Sequence, residues 1–432
     1  MFTIALRFRK YFENAFWLIF EKCFSLLVGL VVGIYVARYL QPEAFGLLNY
    51  GIGFVAIFSA FSTLGLEQIL VRELARGKTD KDDLLGTGFI LKVSGSLLLF
   101  VLMLIILFFL DQGPFTNMLI MIVAAAEIFR GFEVINYFFQ SQVQSKYVVQ
   151  VQLFINLMIS MSKIGLILLS ASLVWFAIII VLAAIFNAIG FLYAYQARDN
   201  TARNWKFRKR LAKGLLRESW PLALYGLALH TQARIDQVML GNTLNNYEVG
   251  QYSVALKFIE IFGFVPMILM STFTPAVTRG KASGETLYQS RLVNLYRLMF
   301  LTFLLVAVPI FLFGEDLITV LYGIEYQPAG FLLSLFALRL FFANMGVGKS
   351  VFIVNEGLFK YSLLTVILGA LTNVTLNYFL IPVYGTSGAL AGSMVSFAVS
   401  IFLVDMFFQR TRENLKLMFQ GIFSFWKLKN VQ

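Results

Sequence analysis

Cysteine and histidine are nearly absent from this chain, and each absence removes a class of chemistry. Cys23 is the only cysteine, so an intrachain disulfide, an iron–sulfur cluster or a thiolate zinc site has no ligand set. His230 is the only histidine, which excludes paired-histidine metalloprotease motifs. Charge is scarce too: Asp, Glu, Lys and Arg make up 13% of the 432 residues, against roughly a quarter in soluble domains. With 59% hydrophobic residues and 46 Phe, a water-soluble fold is excluded. The formal charge of +12 would suit nucleic acid, but the basic residues lie between apolar blocks and form no aromatic-interleaved patch. No nucleic-acid partner is expected.

What is abundant is long apolar sequence. Windows able to span about 30 Å of hydrocarbon at 1.5 Å per residue fall at 16–37, 46–66, 84–110, 117–139, 148–169 and 173–195. Six more follow a polar linker, at 219–240, 251–273, 291–313, 328–350, 360–380 and 388–408. Arg7, Arg9 and Lys10 precede the first window as in a signal peptide. That window contains Glu21–Lys22 and runs on to Tyr35 without a small-residue cleavage site, so it reads as an uncleaved helix.

Loop charges set the orientation. One alternating set holds Arg72, Arg76, Lys78 and Lys81; Lys146; Arg279 and Lys281; Lys360; and Arg410, Arg412, Lys416, Lys427 and Lys429, with the linker from Arg198 to Arg217 the richest member. The other set, around 111–116, 170–172, 241–250, 314–327 and 381–387, has no Lys or Arg; only Arg38 departs from the pattern. The positive-inside rule then places both termini in the cytoplasm. The expected fold is an all-α integral membrane protein of about twelve helices. It divides into a six-helix bundle at 1–197, a basic linker at 198–218, a second bundle at 219–408 and a tail at 409–432. The halves share a weak repeat: Trp17 and Trp220 open them, and Leu40-QPEAF-Gly46 parallels Leu244-NNYEV-Gly250. Parallel repeats of this kind rock around a midplane site in transporters.

Charges inside the windows are the functional signal, because a Lys, Arg or Asp at mid-bilayer costs roughly 2.5–3.5 kcal/mol. Glu21, Lys22, Lys92, Glu127, Arg130, Glu133, Lys163, Arg234, Asp236, Lys257, Glu260 and Arg339 all lie there. Gln152, Asn156 and Lys163 share one helical face, as do His230, Arg234 and Gln237. The bland readings are snorkelling for Lys22, Lys163 and Lys257, and closed intrahelical pairs for Lys257–Glu260 and Arg130–Glu133. Lys92, Arg130, Arg234 and Arg339 outnumber Glu127, Glu133 and Asp236, which suits an anion such as pyrophosphate, to which Arg offers a forked donor set. Asp236 needs a partner from another helix. Two signals mislead. Ala343-NMGV-Gly348-Lys349-Ser350 fits a relaxed phosphate-loop pattern but lies in a membrane window with no α/β domain around it, and the sequon at Asn373 lies inside a span.

The segments Trp17-LIFEK-Cys23, Ala37-RYLQPEAFGLLNY-Gly51, Thr63-LGLEQILVRELA-Arg76, Ser219-WPLALYG, Arg234-IDQVML-Gly241, Leu321-YGIEYQPA and Ile381-PVYGTSGALAG resemble polysaccharide flippases of the O-antigen (Wzx) type. These share a superfamily, MOP, with multidrug and toxic-compound extrusion proteins. The resemblance covers essentially the whole chain and implies two six-helix bundles around a central cavity. It further implies transfer of an undecaprenyl-pyrophosphate-linked oligosaccharide across a bacterial cytoplasmic membrane by alternating access. The lipid II flippases of that superfamily have two additional helices, for which this chain has no room. The family has no well-defined shared binding-residue motif, so the site residues rest on charge: Arg130, Arg234, Arg339, Lys92 and Lys163 for pyrophosphate or glycan, with Glu127, Glu133, Asp236 and Glu21 balancing them or coupling an ion. No catalytic residue, metal or cofactor is expected, and the coupling ion, H+ or Na+, is undetermined. Expected partners are the lipid-linked substrate and the bilayer, with a polysaccharide polymerase and chain-length proteins as candidates. The alternatives are a multidrug–cation antiporter of the same fold, or a membrane polymerase or glycosyltransferase.

Overall fold

The computed structural model describes residues 2–110 and 112–427, with side chains from Glu13 onward. Lys429 of the basic tail, the side chains of Arg7, Arg9 and Lys10, and position 111 of the first uncharged loop lie outside the described residues. Within them the chain is helical and contains no strand. The helices are α1 (Phe2–Thr63), α2 (Glu67–Arg76), α3 (Lys81–Phe109), α4 (Pro114–Phe129), α5 (Val134–Ser141), α6 (Lys146–Leu168) and α7 (Leu173–Gln196). They continue with α8 (Lys209–Thr243), α9 (Asn246–Ile261), α10 (Phe264–Ser283), α11 (Glu285–Tyr322), α12 (Gln327–Glu356), α13 (Phe359–Ala398) and α14 (Gln409–Phe423).

Local sequence sets the boundaries. Asp80 caps α3 by accepting the Asp82 and Asp83 N–H groups at 2.9 and 3.1 Å, and Asn245 caps α9 through Glu248 N–H at 2.9 Å. Gly77 and Gly357 close α2 and α12 in the left-handed conformation. Helix α1 breaks at Gln41 (φ 60°, ψ 168°), where the following Pro42 disfavours a helical residue before it. Helix α13 breaks at Gly385 (φ 59°, ψ −137°). Between α4 and α5 the chain tightens into a 3-10 turn at Arg130–Glu133, so the window at 117–139 is not one regular helix.

Among the described residues, eight helical stretches are long and apolar enough to cross a membrane. Two of these, Glu13–Arg76 and Phe359–Phe407, contain the breaks at Gln41 and Gly385 and each cover two of the expected windows. Large apolar side chains face outward: Phe108 is 85% exposed and Leu305 77%. Water would penalise such a surface and hydrocarbon does not. The chain is a multi-pass membrane protein.

Two compact units form, one of residues 1–40 and 47–230, the other of 41–46 and 231–432. The segment expected as a linker is folded into the first unit. Lys206 N–H donates to the Asp82 carbonyl at 3.2 Å, Arg208 Nε to Asp83 at 2.9 Å, and Trp205 packs on Phe89 with ring centres 5.5 Å apart. Helix α8 already begins at Lys209, because the basic run from Lys209 to Arg217 is also made of good helix formers. The first unit is centred on Leu70, Leu84, Phe139 and Tyr195. The second is centred on Leu292, Tyr296, Met345 and Met418, so α14 of the tail belongs to its core.

Candidate functional site

In the first unit four of the deep charges meet. The 3-10 turn eclipses positions three apart, which stacks Arg130 and Glu133. The Arg130 guanidinium lies 3.5 Å from Glu133 and 2.9 Å from Glu127, one turn earlier on α4. Lys92 of α3, fully buried, completes the chain at 2.6 Å from Glu133 and donates to Tyr137 Oη at 2.9 Å. Ser62 Oγ donates to Glu127 at 2.5 Å. Lys92 thus sits behind Glu133 as its buried counter-ion, whereas the Arg130 side chain is 44% exposed.

Arg130 and Glu133 open onto a cavity of about 330 Å³, lined also by Glu21, Asn136, Gln152, Asn156 and Asn187. Glu21 accepts from Ser25 Oγ at 2.8 Å, and Ser25 Oγ accepts from Asn156 Nδ2 at 2.6 Å. The Gln152–Asn156 stripe does face a polar cavity. Lys163, further along α6, is half-buried and does not line it.

The second unit holds the other predicted residues. Arg234 of α8 pairs with Glu260 of α9 at 3.0 Å. This takes Glu260 away from the expected Lys257 pair, because Lys257 turns over the Phe45 ring, 4.7 Å from its centre. Asp236 is buried at 1% exposure, and its partners do come from other helices. Tyr252 Oη and Ser393 Oγ donate to it at 2.5 Å each, and Asn377 Nδ2 donates at 2.7 Å. The amide oxygen of Asn377, in this same cluster, is buried without a donor, as is that of Asn373, whose own Nδ2 donates to the Gln232 carbonyl at 3.1 Å. Arg339 has no ion pair among the described residues; it lies over Phe397 and Phe336, 5.1 and 5.6 Å from the ring centres.

The expected cationic excess is therefore mostly not free positive charge: of the four cations counted, Lys92, Arg130 and Arg234 are each paired with a carboxylate, and Arg339 alone has no ion pair among the described residues. One buried pair escaped the sequence reading. Lys349, taken only as part of a chance phosphate-loop match, lies 2.6 Å from Asp405 and donates to the Ser400 and Ile401 carbonyls at 3.1 Å. Those carbonyls belong to the π-helical stretch Val399–Leu403, whose wider spacing frees them for a side-chain donor. The readable signal was a Lys and an Asp inside two apolar windows.

The sequence profile described as polysaccharide biosynthesis protein matches residues 11–281. The chain belongs to that family. No curated protein is matched by the chain. Among solved structures, this family member is similar to the lipid II flippase MurJ in an inward closed conformation (TM-score 0.71, 12% identity, 96% of this chain and 92% of that one). It is also similar to an inward-facing multidrug resistance MATE transporter of the MOP superfamily (TM-score 0.68, 16% identity, 92% and 96% covered). A third is a MOP superfamily transporter from Pyrococcus furiosus whose binding pocket is described as of reverse polarity (TM-score 0.62, 17% identity, 94% and 96% covered). At such identities the likeness establishes the MOP fold. The family itself ties the chain to polysaccharide biosynthesis.

Proposed function

We propose that this family member flips an undecaprenyl-pyrophosphate-linked oligosaccharide from the cytoplasmic to the outer leaflet of a bacterial cytoplasmic membrane. It would do so by alternating access through about twelve crossings, with both termini inside. The observation that carries the reading is the cavity of the first unit. Four side-chain amides, those of Asn136, Gln152, Asn156 and Asn187, line it together with the half-exposed Arg130. An amide both donates and accepts, which matches sugar hydroxyls. The Arg130 guanidinium can exchange a carboxylate for a phosphate, whose oxygens suit its forked donors. In the second unit, Arg339, held over aromatic rings, and Arg234 keep their assignment to the anionic substrate. Lys92 positions Glu133. Lys163 keeps its assignment to the glycan or pyrophosphate as the more distant cation of α6. A polysaccharide polymerase and chain-length proteins would act on the product.

Coupling is assigned to Asp236. A buried carboxylate bonded by an amide whose own oxygen lacks a donor offers hard oxygen ligands suited to a small cation or to a proton on Asp236 itself. Binding there would supply the energy of the transport cycle.

The test measures surface polysaccharide in cells making R130Q, R339Q or R234Q, each at wild-type protein level, with K163Q alongside. Export is expected to fall at least tenfold for R130Q and R339Q; undiminished export in both would end the assignment. One observation favours a second reading, a cation antiporter: the same cavity presents Glu21 and Glu133 against a single Arg130. That reading requires drug resistance on expression and loss of it in E21Q.

A further inference from the structure

Outside the cavity already described, the first unit carries two adjoining grooves on neighbouring faces of α8. One, of about 760 Å³, is lined by Arg72 and Arg76 of α2 and by Arg208 and Arg210 at the start of α8, with Glu73, Asp83 and Glu218 between them. Arg72 bridges to Glu218 at 2.5 Å, Arg76 to Glu73 at 2.9 Å and Arg208 to Asp83 at 2.9 Å. Arg210 has no ion pair or hydrogen bond among the described residues. Four guanidiniums thus face three carboxylates.

The second groove, of about 280 Å³, is apolar and lies between the end of the second α1 segment and α8; Phe61, Leu64, Leu216, Trp220 and Leu224 form its walls. Leu215 and Glu218 face the basic groove, and Leu216 and Ser219 the apolar one, so the two share a helical turn. Ser219 stands at the junction, 1% exposed, and its hydroxyl has no partner.

We infer that these grooves form a loading site for a phosphate-bearing polyprenyl lipid, with its head among the arginines and the first part of its chain in the apolar cleft. The occupant follows from three features. The basic groove holds an unpaired guanidinium beside exposed ion pairs, and exposed pairs are weak enough to exchange a carboxylate for a phosphate. The cleft runs from Leu216 to Leu227, about 16 Å along a helix, and its volume is below the roughly 300–1,000 Å³ of pockets that enclose a whole drug-sized ligand. A segment of a single apolar chain fits it, and the arginines beside it call for a phosphate at that chain's end. The orphan Ser219 hydroxyl sits where head meets chain and can donate to an ester oxygen. The proposal rests on the flippase reading, since it places the lipid-linked substrate at the basic end of the first unit before the polar cavity receives its glycan.

The test uses the full chain in phosphatidylcholine nanodiscs and a polyprenyl diphosphate carrying a diazirine near the first isoprene units. Photolabel is expected to map to residues 216–227. It should fall at least fivefold in R72Q/R208Q/R210Q and in A223W, which fills the cleft without touching a charge. Unlabelled polyprenyl diphosphate should remove it, while equal concentrations of phosphatidylglycerol or inorganic pyrophosphate leave it. Should the triple variant not fold, R210Q and A223W decide. Label unchanged in these variants, or displaced by phosphatidylglycerol or by pyrophosphate alone, overturns the site. Labelling in R130Q/R339Q is expected to remain at the wild-type level, so the loading site and the transport assignment fail separately: lost export in R130Q and R339Q without mapped label removes only the former.

Discussion

Gly46 and Gly250 each leave room for the backbone of the other's loop. A Cβ on Gly46 would run into the carbonyl of Asn246, and one on Gly250 would run into the carbonyl of Pro42. In the repeat of Leu40-QPEAF-Gly46 and Leu244-NNYEV-Gly250, Pro42 and Asn246 hold the same place. The contact is therefore reciprocal, like that across a two-fold axis, and the short sequence repeat has a physical counterpart in the second unit.

G250A and G46A are expected to separate the loops, since the obstructing atoms are backbone and cannot rotate away. Each should lower the melting temperature of the detergent-purified protein by several degrees, and the double variant by less than the sum, because one shift relieves both clashes. Additive losses would show that the two glycines act independently.

The Lys349–Asp405 pair gives a second prediction. Both groups are buried, and Tyr361 Oη donates to the same carboxylate at 2.5 Å. Removing one charge strands the other at a cost of about 3–5 kcal/mol, whereas removing both together is often near neutral. K349M or D405L alone should sharply reduce folded protein, and K349M/D405L should recover most of it. A double variant as unstable as the worse single one would mean that Lys349 matters through the Ser400 and Ile401 carbonyls instead.

How far the sequence could be read follows from these same residues. Hydrophobic length and loop charge report on the solvent around a helix, so the membrane class, the apolar windows and the presence of Arg130 and Asp236 inside them were legible. Pairing across helices leaves no periodic trace. Glu260 joining Arg234 instead of Lys257, Lys92 hiding behind Glu133, and Asn377 and Ser393 converging on Asp236 depend on which faces meet. Counting charges by sign consequently overstated the free positive charge. The 3-10 turn at Arg130–Glu133 was equally invisible, because its residues have no breaker among them except Gly131.

Asp236 is expected to be indispensable to coupling and dispensable to folding. Asn in its place keeps the shape and can still bond Tyr252 and Ser393, but it loses the charge that holds a cation or proton. D236N should reach the membrane at normal level yet export at least tenfold less polysaccharide. The readout that isolates the role is ion-dependent stability. Wild-type protein should melt higher in Na+ than in K+ at equal ionic strength, or shift with pH if the ion is H+, and D236N should show neither response. A response retained in D236N places the coupling ion elsewhere.

The amide lining yields the last prediction. Asn187, which lines the cavity, donates to the Ala183 carbonyl one turn away at 2.8 Å, and Asn156 is held by Ser25. If the cavity reads sugar hydroxyls, each lost hydrogen bond should cost about 0.5–1.5 kcal/mol of binding, a factor of roughly 2–10. N156A and N187A should then each lower export moderately, with no change in the labelling of the basic groove. N156A/N187A should lower it multiplicatively, because the two side chains come from different helices and bond different partners, Ser25 and Ala183. Replacing Asn156 by Gln, which keeps both donor and acceptor, should restore part of the activity. A cavity that merely holds water would tolerate all of these changes, so wild-type export in N156A/N187A would remove the glycan from this site.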